Sequence, residues 1–144
     1  MDALQPLPTP TVPDAPQFVT SAHTRWSDED NQAVLNNAVY LTLFEEARHA
    51  FARATGGLHE NRFPFLLAQT NVRFLRPGRG GVDVTVELTT VHVGTSSFRQ
   101  AYRVRGPEGE AWAEAEALLV CYDPATNRSR PMDPTFRERL VRRP

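Results

Sequence analysis

Between Asn36 and Thr55 the apolar positions recur at helical intervals. Tyr40, Phe44, Ala47, Phe51 and Ala54 follow one another at spacings of four and three, and Val39, Leu43 and Ala50 widen the stripe. Asn36 or Asn37 suits the N-cap, and Gly56-Gly57 suits the C-terminal stop. This is the only long helix the chain predicts. Elsewhere the period is two. Val82, Val84, Val86 and Leu88 alternate with Asp83, Thr85, Glu87 and Thr89, as in a strand buried on one face. Phe18–Trp26 and Phe65–Arg76 also predict strands, the second stopped by Pro77-Gly78. Turns at Gly94-Thr95 and at Gly106-Pro107-Glu108-Gly109 frame two more, one carrying Phe98, Gln100, Tyr102 and Val104 on one face, the other running from Ala111 to Tyr122.

The last strand sets Ala111, Ala113, Ala115, Ala117, Leu119 and Cys121 on one face. Alanine is a poor strand former, so a row of it calls for a packing reason. The expectation is that it lets the helix lie close. The predicted fold class is α+β, one long helix cradled by an antiparallel sheet of five strands, and simple hairpins would order that sheet as a meander. Pro6, Pro8, Pro10, Pro13 and Pro16 crowd the beginning and disfavour both helix and ladder. Residues 1–17 are therefore read as a proline-rich, disordered or extended lead-in, and 18–144 as a single domain.

With 144 residues and a net charge of -1, the chain makes one ordinary domain, and general nucleic-acid binding is not expected. A single cysteine, Cys121, excludes a disulfide scaffold and suits a cytoplasmic setting. No apolar run approaches a bilayer span, and the start lacks the pattern of a secretory signal. All sixteen basic residues are arginines, which excludes Schiff-base lysine chemistry and a P-loop. His23, His49, His59 and His92 lack metal-ligand spacing, and no G-x-S-x-G is present, so neither a metal cofactor nor a serine triad is expected.

The candidate chemistry lies where the first strand gives way to the helix. Asp28, Glu29 and Asp30 precede Asn36-Asn37, so carboxylates stand beside the unpaired amides of a first helical turn. Such amides polarise a carbonyl, and a neighbouring carboxylate can attack it or activate water. On pattern alone plain capping is the commoner reading of the same residues. An aspartate of ordinary pKa, about 3.9, is some 4 kcal/mol mismatched as a base at pH 7, which favours nucleophilic attack.

The stretch Trp26 to Arg48, with its D-x-D, N-N-A-V-Y-L and F-E-E-A-R elements, resembles the hotdog-fold acyl-CoA thioesterases of the 4-hydroxybenzoyl-CoA type. Trp26-Ser27-Asp28 and Asn36-Asn37 also resemble the plant acyl-carrier-protein thioesterases in spacing. The likeness extends through Arg73–Gly78, Gly94–Phe98 and the closing strand. It implies a long helix wrapped by five strands, with the strand after the helix moved to a sheet edge. It further implies a homodimer joined edge to edge, or a homotetramer, with the active sites at the subunit interface.

By position, the resemblance makes Asp30 the catalytic carboxylate and the Asn37 amide the electrophilic donor. Ser97, on the Gly94–Phe98 turn, falls where the family approaches the thioester. Arg76 is a candidate for the coenzyme A phosphates, as are Arg73, Arg79, Arg99, Arg128 and Arg130, since guanidinium forks suit phosphate oxygens. Tyr40 is a candidate substrate contact, and Phe51, Phe63 and Phe65 are candidates for the acyl pocket wall. Ala33-Val34 stands where some members carry Gly-His, and Gln32 and Val34 where the plant enzymes carry catalytic Asn and His. The expected activity is hydrolysis of an acyl-CoA or acyl-carrier-protein thioester without any cofactor beyond the coenzyme A of the substrate. The alternative is a noncatalytic acyl-thioester-binding or assembly protein. A hydratase lacks its Asp-His pair here. Asp28 and Glu29 are expected to be solvated or bonded to loop backbone, and Glu45 and Glu46 to lie on the polar face of the helix or pair with Arg48, or, for one of them, to border the pocket.

Overall fold

The computed structural model describes residues 7–144. Among them are six strands and two α-helices: β1 (Phe18–His23), α1 (Asn37–Thr55), β2 (Phe65–Phe74), β3 (Asp83–Val93), β4 (Ser97–Arg105), β5 (Ala111–Asp123), β6 (Arg128–Ser129) and α2 (Pro134–Arg139). The helix α1 begins after Asn36, whose side chain accepts from the Ala38 amide, and ends at Gly56 in the left-handed region, φ 76°. A cap of this kind contributes about 1 kcal/mol. No helix among the described residues is long and apolar enough to cross a membrane.

The sheet runs β1-β3-β4-β5-β2, all antiparallel, with the two-residue β6 added to the end of β5. This is the α+β hotdog arrangement, not a meander: β2 leaves its sequence neighbour β3 and pairs with β5 at the far edge. One face of β4 and β5 looks into the core with α1, and Phe44 stacks on Tyr102 at 5.1 Å. Two details differ from expectation. The helix backbone comes nearest β1 and β3, and the alanine row shares the buried core with Tyr40, Phe44 and Ala47 of α1 without being its nearest neighbour. Instead Ala113 lies between Val104 and Phe74, and Ala115 between Tyr102 and Val72. Small residues on the middle strand leave volume for larger ones on either side. The helical stripe is also turned: Ala54 is exposed, whereas Arg48, Ala52 and Thr55 are buried.

On the opposite face, Arg103 pairs with Glu87 and Glu114, both at 3.4 Å, and Arg99 with Glu116 at 3.7 Å. Residues 7–16 form neither helix nor strand. They lie across this face, where the Val12 and Pro13 carbonyls accept from Arg103 and the Pro8 carbonyl accepts from Asn71. The first six residues of the proline-rich lead-in are outside the described residues.

Candidate active site

The chain leaves β1 earlier than its hydrophobic pattern suggests, and the reason is local bonding. The Thr24 hydroxyl donates to the Arg79 carbonyl, and Trp26–Asp28 turn as a single stretch of 3₁₀ helix. Asp28 is buried, and its carboxylate accepts from the Arg25 amide at 2.8 Å and from the Arg25 guanidinium at 2.9 Å. The Arg25 amide, supported by the guanidinium, holds the Asp28 carboxyl below the ordinary range despite its burial. Asp28 is thus a fixture of the loop.

Glu29 also bonds loop backbone, its carboxylate accepting from the Gly80 amide at 3.0 Å. The 77–81 turn fits closely here, since a Cβ at position 80 would stand 2.2 Å from the Arg25 carbonyl oxygen. The Gly78 carbonyl accepts from the Leu35 amide at 2.9 Å. Two ties to the 77–81 turn therefore hold the loop that leads into α1. On pattern alone Pro77-Gly78 is only a strand stop and Gly80 draws no notice, although the run Arg76-Pro77-Gly78-Arg79-Gly80-Gly81 marks a backbone that must approach something closely.

Asp30 is half-buried at the apex of this loop. Its backbone amide donates to the Val34 carbonyl, its carbonyl accepts from Ala33, and its carboxylate accepts from the Gln32 amide at 2.8 Å. Ala33 completes the turn in the left-handed region at φ 59°, which explains physically why glycine suits this position. Past the loop, the Asn36 amide donates to the Asp28 carbonyl, Ala38 to the Asn36 side chain and Val39 to the Asn36 carbonyl. The Asn37 amide alone in this series has no partner among the described residues.

Asn37, Tyr40 and Arg76 line one open depression of about 270 Å3, together with Phe74 and Gly78. Tyr40 is buried and packs edge-on to Phe74 at 5.2 Å; burial pushes its phenol up to about 12, so it is neutral at working pH. Asp30 belongs to the adjoining loop and is not part of that lining. Ser97 is elsewhere. It opens β4, whose other end lies beside the depression, and eight residues of strand separate them by about 26 Å. Glu45 and Glu46 are exposed and border a different depression with His49 and Phe63, so neither pairs with Arg48. Phe51 and Phe65 are buried in the core, with Phe63 stacked on Phe65 at 4.7 Å. No group of three or more His, Cys, Asp or Glu side chains among the described residues is placed to hold a metal ion.

The family model of the thioesterase-like superfamily matches residues 24–140. The chain belongs to that superfamily, and its enzyme class is thioester hydrolase. Acyl-CoA thioester hydrolase YbgC of Escherichia coli is 27% identical over 111 residues, spanning 73% of this chain and 81% of YbgC. A thioesterase from Thermus thermophilus, solved in complex with coenzyme A and Zn, is 31% identical with a TM-score of 0.77, covering 88% of this chain and 94% of that one. Slr0204, a 1,4-dihydroxy-2-naphthoyl-CoA thioesterase from Synechocystis, shares the fold with a TM-score of 0.77 at 18% identity, over 85% of this chain and 94% of its own.

Proposed function

We propose that this protein hydrolyses acyl-CoA thioesters at the N-terminal tip of α1, with Asp30 as the attacking carboxylate and the Asn37 amide polarising the acyl carbonyl. The observation that carries this reading is the Asn37 amide, which has no partner among the described residues at the start of a 19-residue helix and lines a depression that Arg76 borders. An unpaired donor at the positive end of a helix stabilises the oxyanion that forms on attack. The carboxylate adds to the thioester carbon, the carbon–sulfur bond breaks, and coenzyme A leaves as the thiolate. Water then attacks the Asp30 carboxyl carbon of the mixed anhydride, the free acid leaves with one of the original Asp30 oxygens, and Asp30 is regenerated carrying the water's oxygen. Arg76 is suited to the coenzyme A phosphates and Tyr40 to the floor of the depression. No metal or redox group is required in this scheme.

The reading includes a homodimer. The edge strand β2 leaves Leu66 54% and Leu67 44% exposed, a surface that a second copy would cover, and such a copy would bring its own Ser97 toward the site. Purified protein supplied with a panel of acyl-CoAs and a thiol reagent should release coenzyme A. Asp30→Asn should lower kcat by about a thousandfold. Its melting temperature should hold, because the carboxylate makes one bond, to an exposed turn amide. Unchanged release by this variant would overturn the assignment. Binding of acyl-CoA without release by the parent protein would favour a noncatalytic binder. Repeated turnover in ¹⁸O water should place label in the Asp30 carboxylate; label confined to product from the first turnover would make Asp30 a guide for water instead.

A further inference from the structure

The sheet face opposite α1 has its own cover, and that cover runs to the open edge at β2. Read back from β1, the lead-in is stapled by Gln17, whose side chain accepts from the Thr90 amide at 2.8 Å and donates to the Leu140 carbonyl at 2.9 Å. It crosses β4, where Arg103 donates to the Val12 and Pro13 carbonyls, and buries Pro10. It reaches β2 where Asn71 donates to the Pro8 carbonyl at 2.7 Å. The prolines have fixed φ and no amide hydrogen, so the segment crosses a polar face with little chain entropy to lose and no donor left over at those positions. The path ends at Leu7, the most exposed large apolar side chain among the described residues, at 84%. With Pro8 and Thr9 it borders an open depression of about 320 Å3 over Asn71, Val72 and Arg73.

At the other end of β2, the exposed Leu66 lies on the same outer face. It pairs with Val120, and Asn71 pairs with Glu116, two positions of β5 that share one side of the strand. Only one of the ten residues of β2, Arg73, is charged, so little keeps this open edge from pairing. Two copies joined on β2 run antiparallel about a two-fold axis, and each residue meets one equally far from the axis. With the axis at mid-strand, between Gln69 and Thr70, residues 71–73 of one copy lie beside residues 66–68 of the other. Leu7 then stands one strand spacing, about 4.8 Å, from the neighbouring copy's β2. We propose that the lead-in is a dimer arm, in which Leu7 of each copy crosses the shared edge and covers Leu66 of a second copy. The inference rests on the proposed edge-to-edge dimer and adds the contact that closes its outer face. A ladder along the edge pairs backbone and leaves both leucines in water; the arm buries each on the other, and the symmetry makes the contact twice. The contact is continuous with the β2 edge, and the two Arg73 side chains fall at opposite ends of it, where they do not repel.

A disulfide tests the arm. Within one copy Leu7 lies over residues 71–73, so at least five residues of strand, about 17 Å, separate it from Leu66. A disulfide bridges Cα atoms no more than about 7 Å apart. Oxidised full-length protein carrying Leu7→Cys and Leu66→Cys together should therefore run as a covalent dimer on a non-reducing gel, and each single variant as one chain. The native Cys121 is buried and takes no part. A double variant that stays uncrosslinked, in a parent that sediments as a dimer, overturns the arm and leaves the dimer standing. A parent that sediments as a monomer overturns both. Crosslinking by Leu7→Cys alone would set the two arms on each other and overturn the contact with Leu66. Leu7→Ser, a change at an exposed position of the single copy, should raise the dimer dissociation constant about a hundredfold, roughly tenfold for each of the two contacts. An unchanged constant overturns the proposal.

Discussion

The two ends of α1 are finished in opposite ways. At the C-terminal end the Phe51, Ala52 and Gly56 carbonyls all accept hydrogen bonds, the last from Arg139 of α2, and Phe136 packs against Phe65 and Phe98. At the N-terminal end the Asn37 amide has no partner among the described residues, and the helix opens on a depression. Both ends carry the partial charge of the same macrodipole. One end spends its polar groups on the fold, and the other has one to spare, which the proposed mechanism uses on the acyl carbonyl. On that proposal stability and chemistry fall to opposite ends of a single element, and each half can be broken separately.

The largest effect is expected at the closed end. Phe136→Ala removes an aromatic side chain from a buried cluster, and such truncations cost about 3–5 kcal/mol. For a chain of this length that corresponds to a fall in melting temperature of roughly 10 °C. The catalytic constants of the fraction that remains folded should stay within twofold. A melting temperature within about 1 °C of the parent would show that α2 contributes little and that the contrast between the ends is misplaced.

At the open end the expected loss is smaller in stability and larger in activity. Gly80→Ala drives a methyl group into the Arg25 backbone and forces apart the tie between the Gly80 amide and Glu29. Overpacking of this kind costs about 1–3 kcal/mol. A shift of the Asp30 loop by an ångström should lower kcat by about a hundredfold. Gly81→Ala is the control: its site is open, so it should cost stability through its φ of 74° and leave kcat unchanged. Equal kinetic effects of the two substitutions would mean that the close approach at Gly80 does not position the loop.

Parts of this contrast are legible in the sequence. The bounds of α1 follow from Asn36 and Gly56-Gly57, and the strands follow from their alternation, because periodicity and caps are local properties. The placement of β2 beside β5 is not local, and hairpin reasoning alone puts it beside β3. Arg48 defeats local reasoning for a related cause: arginine among glutamates on a helix suggests a surface pair, and only the tertiary packing turns it inward. The short α2 has a local signal in Asp133-Pro134, an N-cap followed by proline at the first helical position, but six residues are too few for periodicity to single it out. Of the site, the loop carboxylates and the helix tip are legible. The glycine turn that clamps them is not, since its partners are some fifty residues away in sequence.

The smallest effect concerns Ala33, which holds the Asp30 turn at φ 59°. An alanine in this conformation is strained by about 1–2 kcal/mol, because its Cβ crowds the following carbonyl. Glycine removes the strain and adds back some freedom to the unfolded chain, a term of about 0.4–1 kcal/mol in the other direction. The net for Ala33→Gly is a gain of about 0.5 kcal/mol, a rise in melting temperature near 1–2 °C. The turn's bonds among Asp30, Gln32, Ala33 and Val34 are backbone amides and carbonyls apart from the Asp30 carboxylate, so they survive the change and kcat should stay within twofold. A lower melting temperature would mean that the loop is held by more than its own turn. A large fall in kcat with stability gained would mean that the strained alanine aims Asp30, and that the open end of α1 depends on conformational tension as well as on a spare amide.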